Sequence, residues 1–183
     1  RQGKVLYLGL SNFAAWQVMK SISITQLKNL APIACIQPMY NLLKRQCESE
    51  LLPMAASEGL GVFPYSPLAG GWLSGKYINA EPAVGRFNTS KMYQKRYEQE
   101  KNRETTQAFL DFAKEKNYHP VSLAIAWVGS NPNITAPIIG ARNEAQLGPA
   151  LNTIELALGE SDRSTISGFS LSPAIATDRA EER

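Results

Sequence analysis

Four short stretches combine residue types suited to recognising a nucleotide, and each falls just after a short apolar run. They are Ser11 and Asn12 after VLYLGL, Gln37 at the end of IACIQ, Tyr65 with Ser66, Pro67, Leu68, Ala69, Gly70 and Gly71 after GVFP, and Gly140 with Arg142 after TAPII. Asn12 and Gln37 carry amides, which donate and accept at once, as binding a carboxamide edge requires. Tyr65 offers a flat face on which a ring can stack. The small residues of 66–71 let the backbone approach a ligand and turn N–H groups toward an anion such as a pyrophosphate. Arg142 presents a rigid fork of donors for a phosphate monoester. Together these groups describe a dinucleotide carrying an additional phosphate. Taken singly, each has a plainer reading: a tyrosine at a strand end packs in a core, and an arginine there is solvated. The inference comes from four coincident positions.

The elements that would position these groups follow from periodicity. Residues 5–10 and 33–37 are apolar on both faces, as in buried parallel strands, with Pro38 closing the second. Between them, 14–21 has helical character, with Trp16, Val18 and Met19 available for an inner face. Residues 48–58 form a helix, with Leu51, Leu52, Ala55 and Ala56 at helical spacing, Pro53 in its early turns and Gly59 as the stop. Residues 61–65 form a third strand. The stretch 66–90 is irregular, and a loop of that length inside a compact unit is usually functional. Residues 92–116 read as one helix, Pro120 opens a second with Leu123, Ala124 and Trp127 inward, 135–139 is a fourth strand, and 144–156 a last helix. The polar stretch 159–183 reads as a loosely held tail behind a unit spanning 1–158. Four strands alternating with helices imply parallel βαβ units, which bring all four candidate stretches to one carboxyl edge. Four strands alone leave two edges unpaired and an inner face bare.

Composition limits the alternatives. Of 183 residues, 44% are hydrophobic, enough for one packed unit, and the net charge of +3 does not by itself imply nucleic acid or an anionic membrane. No apolar run approaches the ~20 residues that span a bilayer. The start, RQGK, lacks the features of a secretory leader. Cys35 and Cys47 form no CxxC pair, so reduced thiols and a cytoplasmic location are expected.

The stretches GKVLYLGLSNF, CIQPMYNLLKRQCESELLPMAASEGLGVFPYSPLAGGWLSGKY and AIAWVGSNPNITAPIIGARNEAQL resemble, in combination, the second half of an aldo-keto reductase. The resemblance implies an α/β fold, the C-terminal half of a (β/α)8 TIM barrel, that binds NADPH across the carboxyl ends of its strands and reduces a small-molecule carbonyl substrate to an alcohol. It implies that Ser11, Asn12 and Gln37 hold the nicotinamide amide and that Tyr65 stacks on the ring. The loop Ser66, Pro67, Leu68, Ala69, Gly70 and Gly71 would wrap the pyrophosphate. Arg142, following Gly140, would meet the 2′-phosphate, with Gln146 near the adenine and Arg86 folding an inserted loop over the cofactor. Two departures stand out. Pro149 and Ala150 replace an acidic residue and an asparagine common near the adenine. The family's catalytic Asp, Tyr, Lys and His belong to the first half, so no catalytic residue is assigned here, and the sole histidine, His119, reads as a solvated loop residue. Alone, the chain is expected to be inactive. It would dimerise, pair with a separate first half or be a truncated fragment of a longer chain, or else serve as a non-catalytic NADPH-binding accessory module.

Two decoys lose. Gly70 to Lys76 fits G-x-x-x-x-G-K, but Tyr77 replaces the Ser or Thr that would hold Mg2+, and Trp72 and Leu73 suit packing. Lys91, Lys95, Arg96, Lys101 and Arg103, with Tyr93 and Tyr97 among them, are diluted by Glu98, Glu100 and Glu104, which describes a solvated helix face rather than a nucleic-acid surface.

Overall fold

A computed structural model of the chain describes residues 2–78, 90–175 and 177. Strands β1 (Leu8–Ser11), β2 (Ile33–Gln37) and β3 (Gly61–Val62) form a parallel sheet in the order β1-β2-β3. Gly9 and Ser11 sit opposite Cys35 and Gln37, and Cys35 and Ile36 sit opposite Gly61 and Val62. Consecutive parallel strands require crossovers, supplied here by α1 (Ala15–Leu27) and α2 (Leu51–Ser57). Helix α1 begins where the Gln17 side chain accepts the Ala14 N–H at 2.8 Å. It buries Ala15, Val18 and Ile22, one stripe at helical spacing. Trp16, expected on that face, is 65% exposed, because one residue along a helix turns about 100° away from the stripe. Helix α2 buries Leu52 and Ala55 and stops at Gly59 (φ 65°), where the Leu60 N–H returns to the Ala55 carbonyl at 2.9 Å.

The expected fourth strand is not one. Among the described residues the sheet ends at β3, and 135–139 runs beside it as an extended segment. The Thr135 and Ile138 N–H groups donate to the Val62 and Pro64 carbonyls at 2.9 and 2.8 Å, and the Val62 N–H donates to Thr135 Oγ1 rather than to a backbone carbonyl. Pro64 and Pro137 have no N–H, so neither side can extend the ladder.

Helices α3 (Lys91–Tyr97) and α4 (Glu100–Glu115) replace the single helix expected over 92–116. Gln99 is extended between them, and the buried Asn102 amide donates to the Tyr97 carbonyl at 3.1 Å. Helix α5 (Pro120–Gly129) is buried from Ser122 to Val128. Helix α6 (Glu144–Leu151) is capped by Asn143, contains Pro149, and tightens into a 3-10 turn over Asn152–Glu155 instead of continuing as α-helix. Among the described residues beyond 159, in the stretch expected to be loosely held, several are docked on the core. Helix α7 (Glu160–Gly168) buries Ile166 completely, Phe169 packs edge-on against Phe112, and Ser49 Oγ reaches the Ala174 carbonyl at 2.6 Å. Ile166 and Phe169, three apart, form the inward face of an otherwise polar segment.

The core around Trp72, Trp127, Tyr40, Tyr97 and Phe109 lies between the sheet and these helices. The two flanks stay open. Leu6, Tyr7 and Leu8 are 86%, 79% and 41% exposed beside β1, and Ile154 is 88% exposed on the opposite flank. Cys35 and Cys47 are free thiols, and burial pushes the Cys47 thiol up to about 12. No helix among the described residues is long and apolar enough to cross a membrane.

Candidate nucleotide-binding site

The ends of the three strands are joined by a relay of side chains. The Tyr65 hydroxyl donates to Asn12 Oδ1 at 2.6 Å, Asn12 Nδ2 donates to Ser11 Oγ at 3.1 Å, and Ser11 Oγ donates to the Gln37 carbonyl at 3.0 Å. The register makes this possible, since Ser11 and Gln37 are opposed last residues of β1 and β2. Asn12 turns away from the strand at φ 60°, a conformation asparagine tolerates better than most residues. Tyr65 is fixed through its backbone: its N–H donates to the Pro38 carbonyl at 3.0 Å, and its carbonyl accepts the Tyr40 N–H at 3.4 Å. Ser11, Asn12 and Gln37 are exposed and Tyr65 is half-buried. The result is a polar rim in water with an aromatic ring anchored in it by its hydroxyl.

The loop after Tyr65 is tightly coiled. Ser66, Ala69, Gly70 and Gly71 have φ of 60°, 51°, 68° and 101°. The Ala69 and Gly71 N–H groups turn inward to the Ser66 and Leu68 carbonyls at 3.0 and 2.8 Å. Fewer amides therefore face an anion than the small-residue composition suggests. Pro67 and Ala69 are buried, and Leu68 is half-buried. Gly70 is required by close approach as well as by its φ: a Cβ there would lie 2.6 Å from the Tyr93 ring.

Gly140 and Arg142 follow the extended segment beside β3, so they come next in order along the same edge. The structure shows no bond joining Arg142 to the Tyr65 relay. The Arg142 N–H donates to Gln146 Oε1 at 3.2 Å, and the Gln146 N–H donates to Asn143 Oδ1 at 3.0 Å. Gln146 thus shapes the start of α6 locally, while Gly140, Arg142 and Gln146 are all exposed. Arg86 lies outside the described residues. His119, exposed, caps α5 by accepting the Val121 N–H at 3.2 Å. Trp72 and Leu73 are buried in the G-x-x-x-x-G-K stretch, and Lys76 lies over the Tyr77 ring. Tyr97 is fully buried, so the basic stretch around α3 does not offer it to a nucleobase.

Sequence reasoning missed Asn41, which is fully buried and donates to the Ser66 carbonyl at 2.9 Å across 25 residues of chain. It sits in the same QPMYN run as Gln37, and a polar residue inside an otherwise apolar strand exit was the available signal.

Parallel strands with crossover helices and a polar rim at their carboxyl ends define an α/β protein of the kind that gathers ligand groups at that edge. The chain belongs to the Aldo/keto reductase family, whose model matches residues 1–170. That family implies a (β/α)8 barrel, and the three parallel strands with their helices are consistent with it. The chain is 39% identical over 158 residues to "Uncharacterized oxidoreductase YrpG" of Bacillus subtilis (strain 168), covering 86% of this chain and 47% of that protein. It is 32% identical over 160 residues to "Protein tas" of Escherichia coli (strain K12), covering 87% and 46%. It is 36% identical over 154 residues to "Probable voltage-gated potassium channel subunit beta" of Oryza sativa subsp. japonica, covering 79% and 45%. The chain spans about half the length of these relatives.

Proposed function

We propose that the chain is the cofactor-binding, C-terminal half of an NADPH-dependent aldo-keto reductase barrel acting on a small-molecule carbonyl. The observation that supports this best is the relay Tyr65–Asn12–Ser11–Gln37, which ties a stackable ring to amide-bearing strand ends on one exposed rim. In this reading Asn12, Gln37 and Ser11 hold the carboxamide of a nicotinamide. The Tyr65 ring lies against its face with the hydroxyl already spent on Asn12, so Tyr65 orients the ring and does not protonate substrate. The 66–71 loop borders the pyrophosphate, and Arg142, with no ion pair among the described residues, takes the 2′-phosphate. NADPH, when bound, supplies a hydride for a carbonyl carbon, and the proton for the oxygen comes from an acid outside this chain. Free thiols fit a cytoplasmic location.

The exposed flanks at Leu6 and Tyr7 and at Ile154 suit a partner that closes the barrel, either a first half or a second copy. A non-catalytic accessory role is the second reading, favoured by similarity to a protein named as a channel β subunit. The test is titration of NADPH against the chain, followed by assay with an aromatic aldehyde. Saturable binding that Asn12→Ala weakens, without turnover by the chain alone, is expected. Absence of binding, or binding indifferent to Asn12→Ala, contradicts the site. Turnover by the chain alone contradicts the division of labour.

A further inference from the structure

We propose that Asn41, oriented by Tyr97, is the positioning residue of the 66–71 loop and sets its affinity for a pyrophosphate without touching it. The inference rests on the cofactor reading above and goes beyond it. Asn41 is fully buried, and its side chain makes three bonds in three directions. Nδ2 donates to the Ser66 carbonyl at 2.9 Å and to the Tyr97 hydroxyl at 3.3 Å, while Oδ1 accepts the Leu43 N–H at 3.0 Å. Its backbone is locked as well, exchanging N–H bonds with Lys44 at 3.2 and 2.9 Å. A buried amide with both donors spent cannot swing without stranding a polar group.

The bond to Ser66 falls where the loop needs holding. Ser66 is a non-glycine residue at φ 60°, and its carbonyl also accepts the Ala69 N–H at 3.0 Å. The first turn of the loop therefore hangs on one carbonyl, and Asn41 fixes that carbonyl to the exit of β2. Tyr97 fixes Asn41 in turn. It is fully buried, and burial pushes its hydroxyl up to about 12, so it stays protonated and donates to Met39 Sδ at 3.6 Å while accepting from Asn41. Tyr93, from the same helix, closes on Gly70, with its ring 6.2 Å from that of Tyr97. Helix α3 thereby supports the loop at both ends, and the residue through which it acts on the loop's first turn is Asn41.

The experiment compares wild type, Asn41→Ala and Tyr97→Phe in the full chain. Tyr97→Phe keeps the ring packing and serves if Asn41→Ala does not fold. Two readouts are taken: amide hydrogen exchange at 66–71, and dissociation constants for NADPH and for adenosine 2′-monophosphate, which carries the 2′-phosphate but no pyrophosphate. Expected for Asn41→Ala are faster exchange at 66–71 and at Leu43, whose N–H loses its acceptor, and NADPH binding weakened about tenfold, as loss of the one bond that reaches the loop allows, with a smaller effect for Tyr97→Phe. Adenosine 2′-monophosphate should change less than about twofold, since a general loss of fold would move both ligands together. Unchanged exchange at 66–71 in both variants, or equal weakening of both ligands, overturns the inference and leaves the cofactor reading standing. A wild-type chain that binds neither ligand overturns that reading and the inference with it.

Discussion

Two polar networks in this molecule, one under α7 and one at the strand ends, differ in what they leave open. Under α7, Arg45 grips Glu48 with two bonds of 2.9 and 2.8 Å and gives another hydrogen to the Ser167 carbonyl at 2.8 Å. Glu48 also accepts the Tyr40 hydroxyl at 2.6 Å, and Asn131 donates to that hydroxyl at 3.2 Å. Arg45 and Arg163 both lie over the Trp127 ring, 5.7 and 5.3 Å from its centre. This network is largely buried and closed on itself. The relay at the strand ends is exposed, runs in a line across three strands, and borders solvent. A closed network fixes an element in place; an open one at a sheet edge has capacity left for a ligand.

The contrast can be broken from the buried side first. Glu48→Ala strands a mostly buried guanidinium and the Tyr40 hydroxyl, and is expected to cost about 3 kcal/mol in urea unfolding at neutral pH, with NADPH affinity per folded molecule unchanged. Ile166→Ala should cost about 2–3 kcal/mol by the same measurement, because it opens a cavity under a docked helix. A loose tail would show almost no change. Alkaline titration sharpens the picture. Burial raises the Tyr40 hydroxyl above its ordinary value, and raises Cys47 and Tyr97 to about 12 from 9.0 and 10.0. The folded chain then holds protons that the unfolded chain releases, so the contribution of these groups should be constant from neutral pH to about 9 and be lost between pH 9 and 12 in denaturant midpoints. Tyr65→Phe should have the smallest stability effect, under about 1 kcal/mol, since its bond is at the exposed rim. It should still weaken NADPH by freeing Asn12.

What was legible beforehand followed from short-range pattern. The apolar runs announced β1, β2 and β3 in order, although 5–7 lie outside β1 and are exposed rather than buried and β3 stops at Val62; Pro120 announced α5, and Gly59 the end of α2. The stretch 135–139 has strand composition, but Pro137 and its neighbour Pro64 withhold the N–H groups a ladder needs. Segment 160–168 reads as loose because Ile166 is its one large apolar anchor and the others are polar and distant in sequence: Ser167 accepts the Trp127 indole N–H at 3.0 Å, and its carbonyl takes Arg45 across 122 residues. The relay partners Ser11, Asn12, Gln37 and Tyr65 could be picked out by type and position, whereas Asn41 was marked only as a polar residue in an apolar strand exit, with nothing local to show its role. Its role depends on Tyr97, 56 residues away, and no local spacing encodes that contact.

The measurement that tests the central claim most directly is the pair of dissociation constants for NADPH and NADH, in wild type and in Arg142→Ala. If the relay and Arg142 face one dinucleotide, wild type prefers NADPH and the substitution removes about tenfold of that preference, as losing a charge-assisted phosphate contact should. Equal loss for both dinucleotides, or a preference that survives the substitution, would place Arg142 outside the site and break the account.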